Sequence, residues 1–235
     1  MNEPPGERTV QAGARRCGAC SLCCSVLRVD ELAKLGGRPC LHQQPGGGCA
    51  VHAARPSVCR AYRCAWLGGA FGEEDRPDRL GAVLDLVARG QSIHLVVRQA
   101  DPRARDRSER LRAIIAETRR SMPVEIRDVD DVLDPDRRWW LLKAGLTEEG
   151  EELEIAGDEI RVIRDGRVVE RRHAAWPVRV LRRIAQRVQR RRISRWPAHE
   201  ERMRRLGLPA VRDGKLREQS PELRESPDVD PRRTP

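Results

Sequence analysis

The feature that most constrains this chain is a cluster of eight cysteines between Cys17 and Cys64, because no other cysteine occurs in its 235 residues. Two-residue gaps separate Cys17, Cys20 and Cys23. Such a gap lets two sulfurs reach one metal ion from a tight turn, while the intervening amides donate to the thiolates. We therefore predict a metal site whose ligands are Cys17, Cys20, Cys23, Cys24, Cys40, Cys49, Cys59 and Cys64.

The spacing leaves the identity of the metal open. Cys17, Cys20 and Cys23 reproduce the start of the ferredoxin pattern, in which a cubane takes three ligands from one loop, but Cys24 then follows directly and rules out a ferredoxin. Adjacent side chains diverge, so Cys23 and Cys24 could serve two centres or bridge them. Thiolates favour zinc or iron–sulfur over calcium or magnesium. Two zinc sites of four thiolates and one 4Fe–4S cluster with spare thiols both fit.

Composition supports metal ligation over disulfide formation. The N-terminus has no basic stretch leading into an apolar run, and no segment approaches the roughly 18 apolar residues of a membrane span. We therefore expect a cytoplasmic protein, in which a reducing environment disfavours disulfides. Hydrophobic residues make up 39% and charged residues 35% of the chain, so we expect a thin core that bound metal supplements with folding energy.

The order of the cysteines resembles that of a known family. The run CGACSLCC from Cys17, together with RPSVCRAYRC from Arg55 to Cys64, is similar to the YkgJ-type cysteine-cluster family. That family is described as a zinc- or iron-chelating domain, and the flagellin lysine N-methylases carry a similar cluster. The resemblance covers about a fifth of the chain, from Cys17 to Trp66, and departs from the family at 52–54, where His-Ala-Ala replaces an aromatic–acidic pair. It implies metal chelation more firmly than it implies an enzyme.

Changes in residue composition and hydrophobic periodicity along the chain predict an α+β fold with four regions. Residues 1–14 are expected to be a flexible N-terminus and 15–70 a small irregular module held together by metal, because Gly and Pro interrupt it and only Val26 to Leu35 has helical spacing. Residues 71–209 are expected to form a mixed region of strands and basic C-terminal helices. The polar, proline-rich segment 210–235 is predicted to be disordered.

Periodicity predicts the elements of the mixed region. Asp165-Gly166 is the strongest hairpin signal, because this pair supplies the positive φ angles of a tight primed turn. Arg89-Gly90 is a weaker one. Trp139 to Leu142 is a short buried run of uncertain type. The predicted strands are 81–88, 92–99, 124–129, 159–163 and 167–170, and the predicted helices are 105–120, 178–193 and 196–206.

Charge and the residues near the cysteines suggest secondary roles. The segment from Arg179 to Arg205 contains eleven arginines and only two acidic residues, so it could bind an anionic partner. Trp196 is the only aromatic residue in this segment. We therefore favour a solvated helix face with an acidic partner over a nucleic-acid site.

His42 and His52 are interpreted as supporting groups rather than ligands. Arg55 and Arg60 are candidates to compensate thiolate charge, and Trp66 to cover the site.

The chain contains no phosphate-binding glycine loop, no P-loop and no Ser-His-Asp pattern, so the sequence identifies no catalytic residue. Our first hypothesis is a metal-chelating protein that binds zinc or an iron–sulfur cluster through its eight cysteines. The alternatives are an iron–sulfur enzyme of redox or methyl-transfer chemistry, and a nucleic-acid-binding module with structural zinc.

Overall fold

The computed structural model describes residues 15–128, 138–142, 151–208, 211–212 and 215–216 and has an α+β fold. Short 3-10 helices lie at Asp30–Leu32 and Glu73–Asp75. The α-helices are α1 (Leu22–Val26), α2 (Ser57–Ala61), α3 (Pro77–Leu80), α4 (Ala104–Arg107), α5 (Glu109–Thr118), α6 (Trp176–Ser194) and α7 (His199–Leu206). The strands are β1 (Ala82–Arg89), β2 (Ser92–Gln99), β3 (Val124–Arg127), β4 (Arg138–Leu142), β5 (Glu152–Ala156), β6 (Glu159–Arg164), β7 (Arg167–His173), β8 (Val211–Arg212) and β9 (Lys215–Leu216).

Strands β1 to β7 form one sheet in sequence order. Neighbouring strands are antiparallel except β2 and β3, which run parallel because α4 and α5 carry the chain back between them. The hairpin of β1 and β2 pairs Arg89 with Ser92 across Gly90, whose φ of 60° is the left-handed value that a tight turn requires. β8 and β9 form a separate antiparallel pair.

The apolar core lies on one face of β1, β2 and β3. Helix α5 covers this face and begins at Ser108, whose side chain accepts a hydrogen bond from the Leu111 amide. Because residues on a strand alternate between faces, Ala82 and Leu84 of β1 and Leu95 and Val97 of β2 join the core. Its buried members are Ala65, Leu80, Ala82, Leu84, Leu95, Val97, Ala104, Leu111, Ile114, Ile115, Val124 and Ile126.

The opposite face of β1 and β2 borders the cysteine module. Val83, Asp85 and Arg98 alternate with the core residues and line a cavity there together with the cysteines. The module also pairs with the free edge of β1, where the Ala65 amide donates to the Leu84 carbonyl over 2.8 Å. The first two strands therefore separate an apolar core from a cysteine-lined cavity.

The C-terminal helices return to the module. Met203 of α7 is fully buried, and its sulfur lies 3.4 Å from Nε2 of the equally buried His42. Just before α7, the Trp196 ring lies between the guanidiniums of Arg28 and Arg202, 5.5 and 5.7 Å from its centroid. Contacts thus cross the boundary predicted at residue 70, and the four-region division stays a prediction.

Most of the predicted elements in the mixed region are present. The Asp165-Gly166 turn has φ angles of 51° and 70°, as predicted for the hairpin of β6 and β7. The predicted helix over 105–120 is divided into α4 and α5 at Ser108. Trp139 to Leu142 belongs to β4, and β5 had not been predicted.

Among the described helices, none combines the length and apolarity needed to cross a bilayer.

The predicted helix over Val26 to Leu35 is wrong. Ala33 adopts a left-handed φ of 50°, and Val29 and Lys34 form an isolated antiparallel bridge where a helix would need continuous turns. The Lys34 ammonium instead donates to nearby carbonyls, which competes with helical hydrogen bonding. Segment 1–14, predicted to be flexible, lies outside the described residues, as does most of segment 210–235, predicted to be disordered; β8 and β9 fall within the second segment.

Candidate metal centre

All eight cysteines are free, partly buried and line a single cavity of about 320 Å³. The cavity lies between the module and the β1–β2 face described above. Helix α1 contributes Cys23 and Cys24, and helix α2 contributes Cys59. The other five cysteines belong to turns and loops: Cys17, Cys20, Cys40, Cys49 and Cys64. The predicted ligand set is therefore brought together by the fold.

Tight turns and close backbone contacts place the loop cysteines. The Cys20 amide donates to the Cys17 carbonyl over 2.9 Å, which closes the first Cys-x-x-Cys turn. The Cys40 amide donates to the Cys24 carbonyl over 3.0 Å and joins the second half of the cluster to α1. Gly47 packs against the first turn so closely that a Cβ there would lie 2.2 Å from the Ala19 carbonyl oxygen. Any other residue at 47 would force the two loops apart.

Cys23 is the most central thiol electrostatically. Its hydrogen bond with Cys24, together with burial, raises the pKa of Cys23 well above the usual range. The Cys23 charge also raises the pKa values of Cys17, Cys40, Cys59 and Cys64. Among the shifts resolved for the described residues, no other cysteine influences as many thiol pKa values.

The electrostatic interactions of the thiols do not follow the order of the chain. Cys20 and Cys23 both raise the pKa of Cys64, although 44 residues separate Cys20 from Cys64 in the sequence. Cys40, Cys23 and Cys49 raise the pKa of Cys59. Cysteines from both halves of the sequence cluster therefore influence one another.

Burial raises the pKa values of several thiols further above neutral pH. It is the main cause of the raised pKa values of Cys59 and Cys64, both about 11, with neighbouring cysteines as a further cause. Burial also raises the pKa values of Cys17, Cys20 and Cys40. A thiol must lose its proton to ligate a metal, so a metal that binds here must displace protons.

Backbone amides donate to several sulfurs, as they do around metal-bound thiolates. The amides of Leu22 and Asp78 donate to Cys20, and the amide of His42 donates to Cys40. The Leu67 amide lies 3.5 Å from the Cys64 sulfur. These donors lower the thiol pKa values and therefore favour the anionic form that a metal needs.

Among the described residues, no three cysteine, histidine or acidic side chains converge as a ready metal-binding group. The eight thiols lie around the cavity wall instead. Their chemistry fits a soft metal, whereas ligation requires the sulfurs to move towards one another. The module has few regular elements to resist that movement, since its two α-helices have five residues each.

Lys34 is the functional candidate that sequence reasoning missed. Its side chain is buried on the cavity wall, and its ammonium donates to the carbonyls of Leu27, Leu35 and Ser25. Burial lowers the pKa of Lys34, while Cys40 and other nearby cysteines act in the opposite direction. Lys34 therefore places a positive charge beside the cluster. The available signal was compositional, since Lys34 is one of three lysines in a chain that otherwise uses arginine.

The two arginines predicted to compensate thiolate charge differ in position. Arg55 lines the cavity and hydrogen-bonds to the Cys17 sulfur, as well as to His52. Arg60 donates to the Arg55 carbonyl over 2.8 Å. Arg55 thus has the geometry expected of a charge-compensating group, while Arg60 supports the segment that holds it.

A second group that the sequence did not reveal lies where the module meets the β1–β2 face. The Tyr62 hydroxyl donates to Asp85 over 2.5 Å, and Arg98 Nε donates to the other Asp85 oxygen over 3.0 Å. Burial and the Asp85 charge raise the pKa of Tyr62 above the usual range. Trp66 also borders the cavity, and the Arg15 guanidinium lies 5.2 Å from its centroid. Tyr62, Asp85 and Arg98 therefore supply polar groups beside the thiols.

No family model, curated protein or solved structure matches this chain. The resemblance to the YkgJ-type family therefore stays a prediction that depends on the spacing of the cysteines.

Proposed function

We propose that this protein chelates a soft metal, either zinc or an iron–sulfur cluster, through its eight cysteines. The single observation that carries the proposal is that all eight free thiols line one cavity. Thiolate ligands select zinc and iron–sulfur clusters over hard cations. When bound, such a centre would cross-link the loops of the module.

The surroundings of the cavity support thiolate ligation. Lys34 and Arg55 bring positive charge to the cysteines, and backbone amides donate to Cys20, Cys40 and Cys64. Positive charge and amide donors stabilise thiolates and so offset the loss of hydration on burial. The donor set therefore fits the predicted group.

The experiment that tests the proposal is elemental analysis with absorption spectroscopy on protein purified without oxygen. Colourless protein with bound zinc supports the zinc form, and brown protein with iron and acid-labile sulfide supports the cluster form. Protein that contains neither metal, even after reconstitution with each, contradicts the proposal.

Variants of the adjacent pair distinguish the two forms. If two zinc ions each take four thiolates, Cys23→Ser and Cys24→Ser should each lose about half of the zinc, because serine is a poor ligand and leaves three thiolates. If one cubane takes four thiolates, at least one of these variants should keep full iron and colour. Ser25→Ala is the matched control, since Ser25 is the next residue and hydrogen-bonds to Gln43.

One observation favours an iron–sulfur enzyme as a second candidate. Tyr62, Asp85 and Arg98 place groups that can bind or polarise a substrate in the cavity that the cysteines line. An enzyme of this kind needs an iron that a substrate or cofactor can reach. Cyanide added to reconstituted protein would change the electron paramagnetic resonance spectrum of an accessible iron and leave a fully thiolate-ligated cluster unchanged.

A further inference from the structure

Helix α6 turns its polar side towards the rest of the protein. The partly buried side chains that recur at helical spacing are Arg179, Arg182, Gln186, Gln189 and Ile193, and four of the five are polar. Arg182 pairs with Asp158 in the turn between β5 and β6 over 3.1 Å. The contacts that hold α6 are therefore mainly polar, the reverse of α5, which buries Leu111, Ile114 and Ile115.

The opposite side of α6 is apolar and exposed. Leu181, Ile184 and Val188 follow one another at spacings of three and four residues, which places them on one stripe. Trp176 and Val178 add apolar surface at the start of the helix. These five side chains are between 52% and 68% exposed, and they account for most of the exposed large apolar residues that follow β7 in the described chain.

Arginines border this stripe. Arg183, Arg187 and Arg190 recur at spacings of four and three residues along one side and are exposed. Arg192 lies towards the other side and reaches Asp30 over 3.0 Å. The helix carries seven arginines and no acidic residue. A surface that binds α6 must therefore provide negative charge as well as an apolar interior.

Charge complementarity selects among the surfaces that could cover the stripe. A second copy would bury the apolar residues but bring two sets of arginines together, and like charges repel. A nucleic acid would neutralise the arginines but leave Leu181, Ile184 and Val188 in water. An anionic bilayer surface provides phosphate and carboxylate groups for the arginines and an apolar layer directly beneath them.

We propose that α6 is a membrane-surface anchor that lies in the headgroup region of an anionic lipid bilayer. Its apolar stripe inserts into the boundary of the acyl chains, while Arg183, Arg187 and Arg190 pair with lipid headgroups. Trp176, at the start of the helix, has the amphipathic ring that is enriched at membrane interfaces. The anchor is independent of the cysteine cavity, because none of these side chains lines it.

The test uses the full-length, metal-loaded protein and co-sedimentation with two kinds of vesicle. One is pure phosphatidylcholine, and the other is an equal mixture of phosphatidylcholine and phosphatidylserine. We expect binding to the anionic vesicles, with weak or undetectable binding to the neutral ones and a decrease as salt rises. Equal binding to both vesicles, or binding to neither, would overturn the proposal.

Matched variants separate insertion from simple charge attraction. Ile184→Glu should lower the affinity for anionic vesicles by about tenfold or more, because it removes apolar contact and adds a repelled charge. Ile93→Glu is the control: Ile93 is 56% exposed on the β1–β2 hairpin, close to the 52% of Ile184, and should leave binding near the wild-type value apart from the shared charge effect. Arg187→Ala should weaken binding about fivefold.

Two results would assign α6 to another partner and reject the membrane anchor. If sedimentation velocity shows a wild-type dimer that Ile184→Glu converts to a monomer, the stripe binds a second copy. If duplex DNA binds more tightly than anionic vesicles and Ile184→Glu leaves that binding unchanged, the arginines alone form the site. The variants Ile184→Glu, Ile93→Glu and Arg187→Ala all replace exposed residues, and circular dichroism verifies that they fold.

Discussion

The two sides of the β1–β2 hairpin are stabilised by different interactions. On one side, twelve apolar residues form one buried cluster, and nine of them belong to α5 and the strands β1 to β3. On the other, the cysteine module buries only a few apolar side chains, such as Val26 and Val29, beside the polar Lys34 and His42. Apolar burial at about 25 cal/mol per Å² is enough to hold a sheet and helix together. The module lacks that area, and the comparison suggests that a metal supplies what apolar packing does not.

Metal removal should give the largest effect and tests this comparison directly. We expect residues 15–70 to lose most of their protection against amide hydrogen exchange, because metal binding contributes about 10–16 kcal/mol in small thiolate sites. The amides of β1, β2 and α5 should stay protected, since the apolar core does not depend on the cysteines. Hydrogen-exchange mass spectrometry with and without a chelator measures both regions in one sample.

If all amides stay protected against exchange after the chelator has removed the metal, the module keeps its structure without metal. Loss of protection in both regions would mean that the two sides form one cooperative unit. Either result would contradict the division that we draw between them.

Leu111→Ala probes the opposite side of the comparison. Leu111 is fully buried in the sheet core, so its truncation should lower the free energy of unfolding by about 3–5 kcal/mol. The ratio of metal to folded protein should not change, because Leu111 lies across the sheet from the cavity. Denaturant unfolding and elemental analysis measure the two quantities.

Glu117→Ala is the control for this variant, since Glu117 is exposed on the same helix. Its effect on unfolding should stay within about 0.5 kcal/mol. A loss of metal in folded Leu111→Ala would show that the two sides are coupled through β1 and β2.

The structural features that could be predicted from the sequence are those determined by a few neighbouring residues. The Asp165-Gly166 turn was predictable because two adjacent residues determine its backbone angles. The two strands of the first hairpin followed from their apolar content and the turn between them. The eight cysteines that the sequence identified as candidate ligands all line one cavity, and their ligation of a metal stays a prediction.

Long-range contacts were not predictable in the same way. The position of Lys34 against the cysteines requires a left-handed Ala33, which nothing in its own sequence signals. Asp85 belongs to a strand and Tyr62 to the module, so their hydrogen bond appears only when the sheet and the module pack together. Periodicity likewise identified the apolar stripe of α6, but periodicity alone predicts that such a stripe faces inward.

Met203→Ala tests whether the stability of the module depends on metal alone. Met203 is fully buried against His42, so helix α7 stabilises the module by packing. We expect the free energy of unfolding of metal-loaded protein to fall by about 2–3 kcal/mol. Met203→Leu should cost less than about 1.5 kcal/mol, because it preserves volume and apolar character. Calorimetry of Met203→Ala, Met203→Leu and wild type measures these differences in unfolding free energy.

An unchanged unfolding transition in Met203→Ala would mean that α7 contributes little and that the metal dominates. A fall larger than that of Leu111→Ala would reverse the comparison, because packing would then matter more on the cysteine side than on the core side.

The smallest effect concerns Asp75, which lies in the 3-10 helix that follows the module and pairs with Arg110 of α5. This buried carboxylate accepts hydrogen bonds from Arg110 of α5 over 2.6 and 2.9 Å and from the Gly72 amide over 2.9 Å. The Arg110 hydrogen bonds are the main reason why the pKa of Asp75 lies below its ordinary value of 3.8. Because half of Arg110 is exposed, solvent screens the pair, and we expect Asp75→Asn to cost about 1–2 kcal/mol at neutral pH.

The pH dependence separates this ion pair from simple packing. The lowered pKa means that the stabilisation is complete above about pH 4 and is lost as the pH falls through the folded-state pKa. The difference in unfolding free energy between wild type and Asp75→Asn should therefore shrink below pH 3.8, measured by urea denaturation. Asp106→Asn, at an exposed position on α4, is the control and should behave like wild type. A difference that stays constant to low pH would show that Asp75 acts through its shape and its hydrogen bond with the Gly72 amide, and that its charge is not needed.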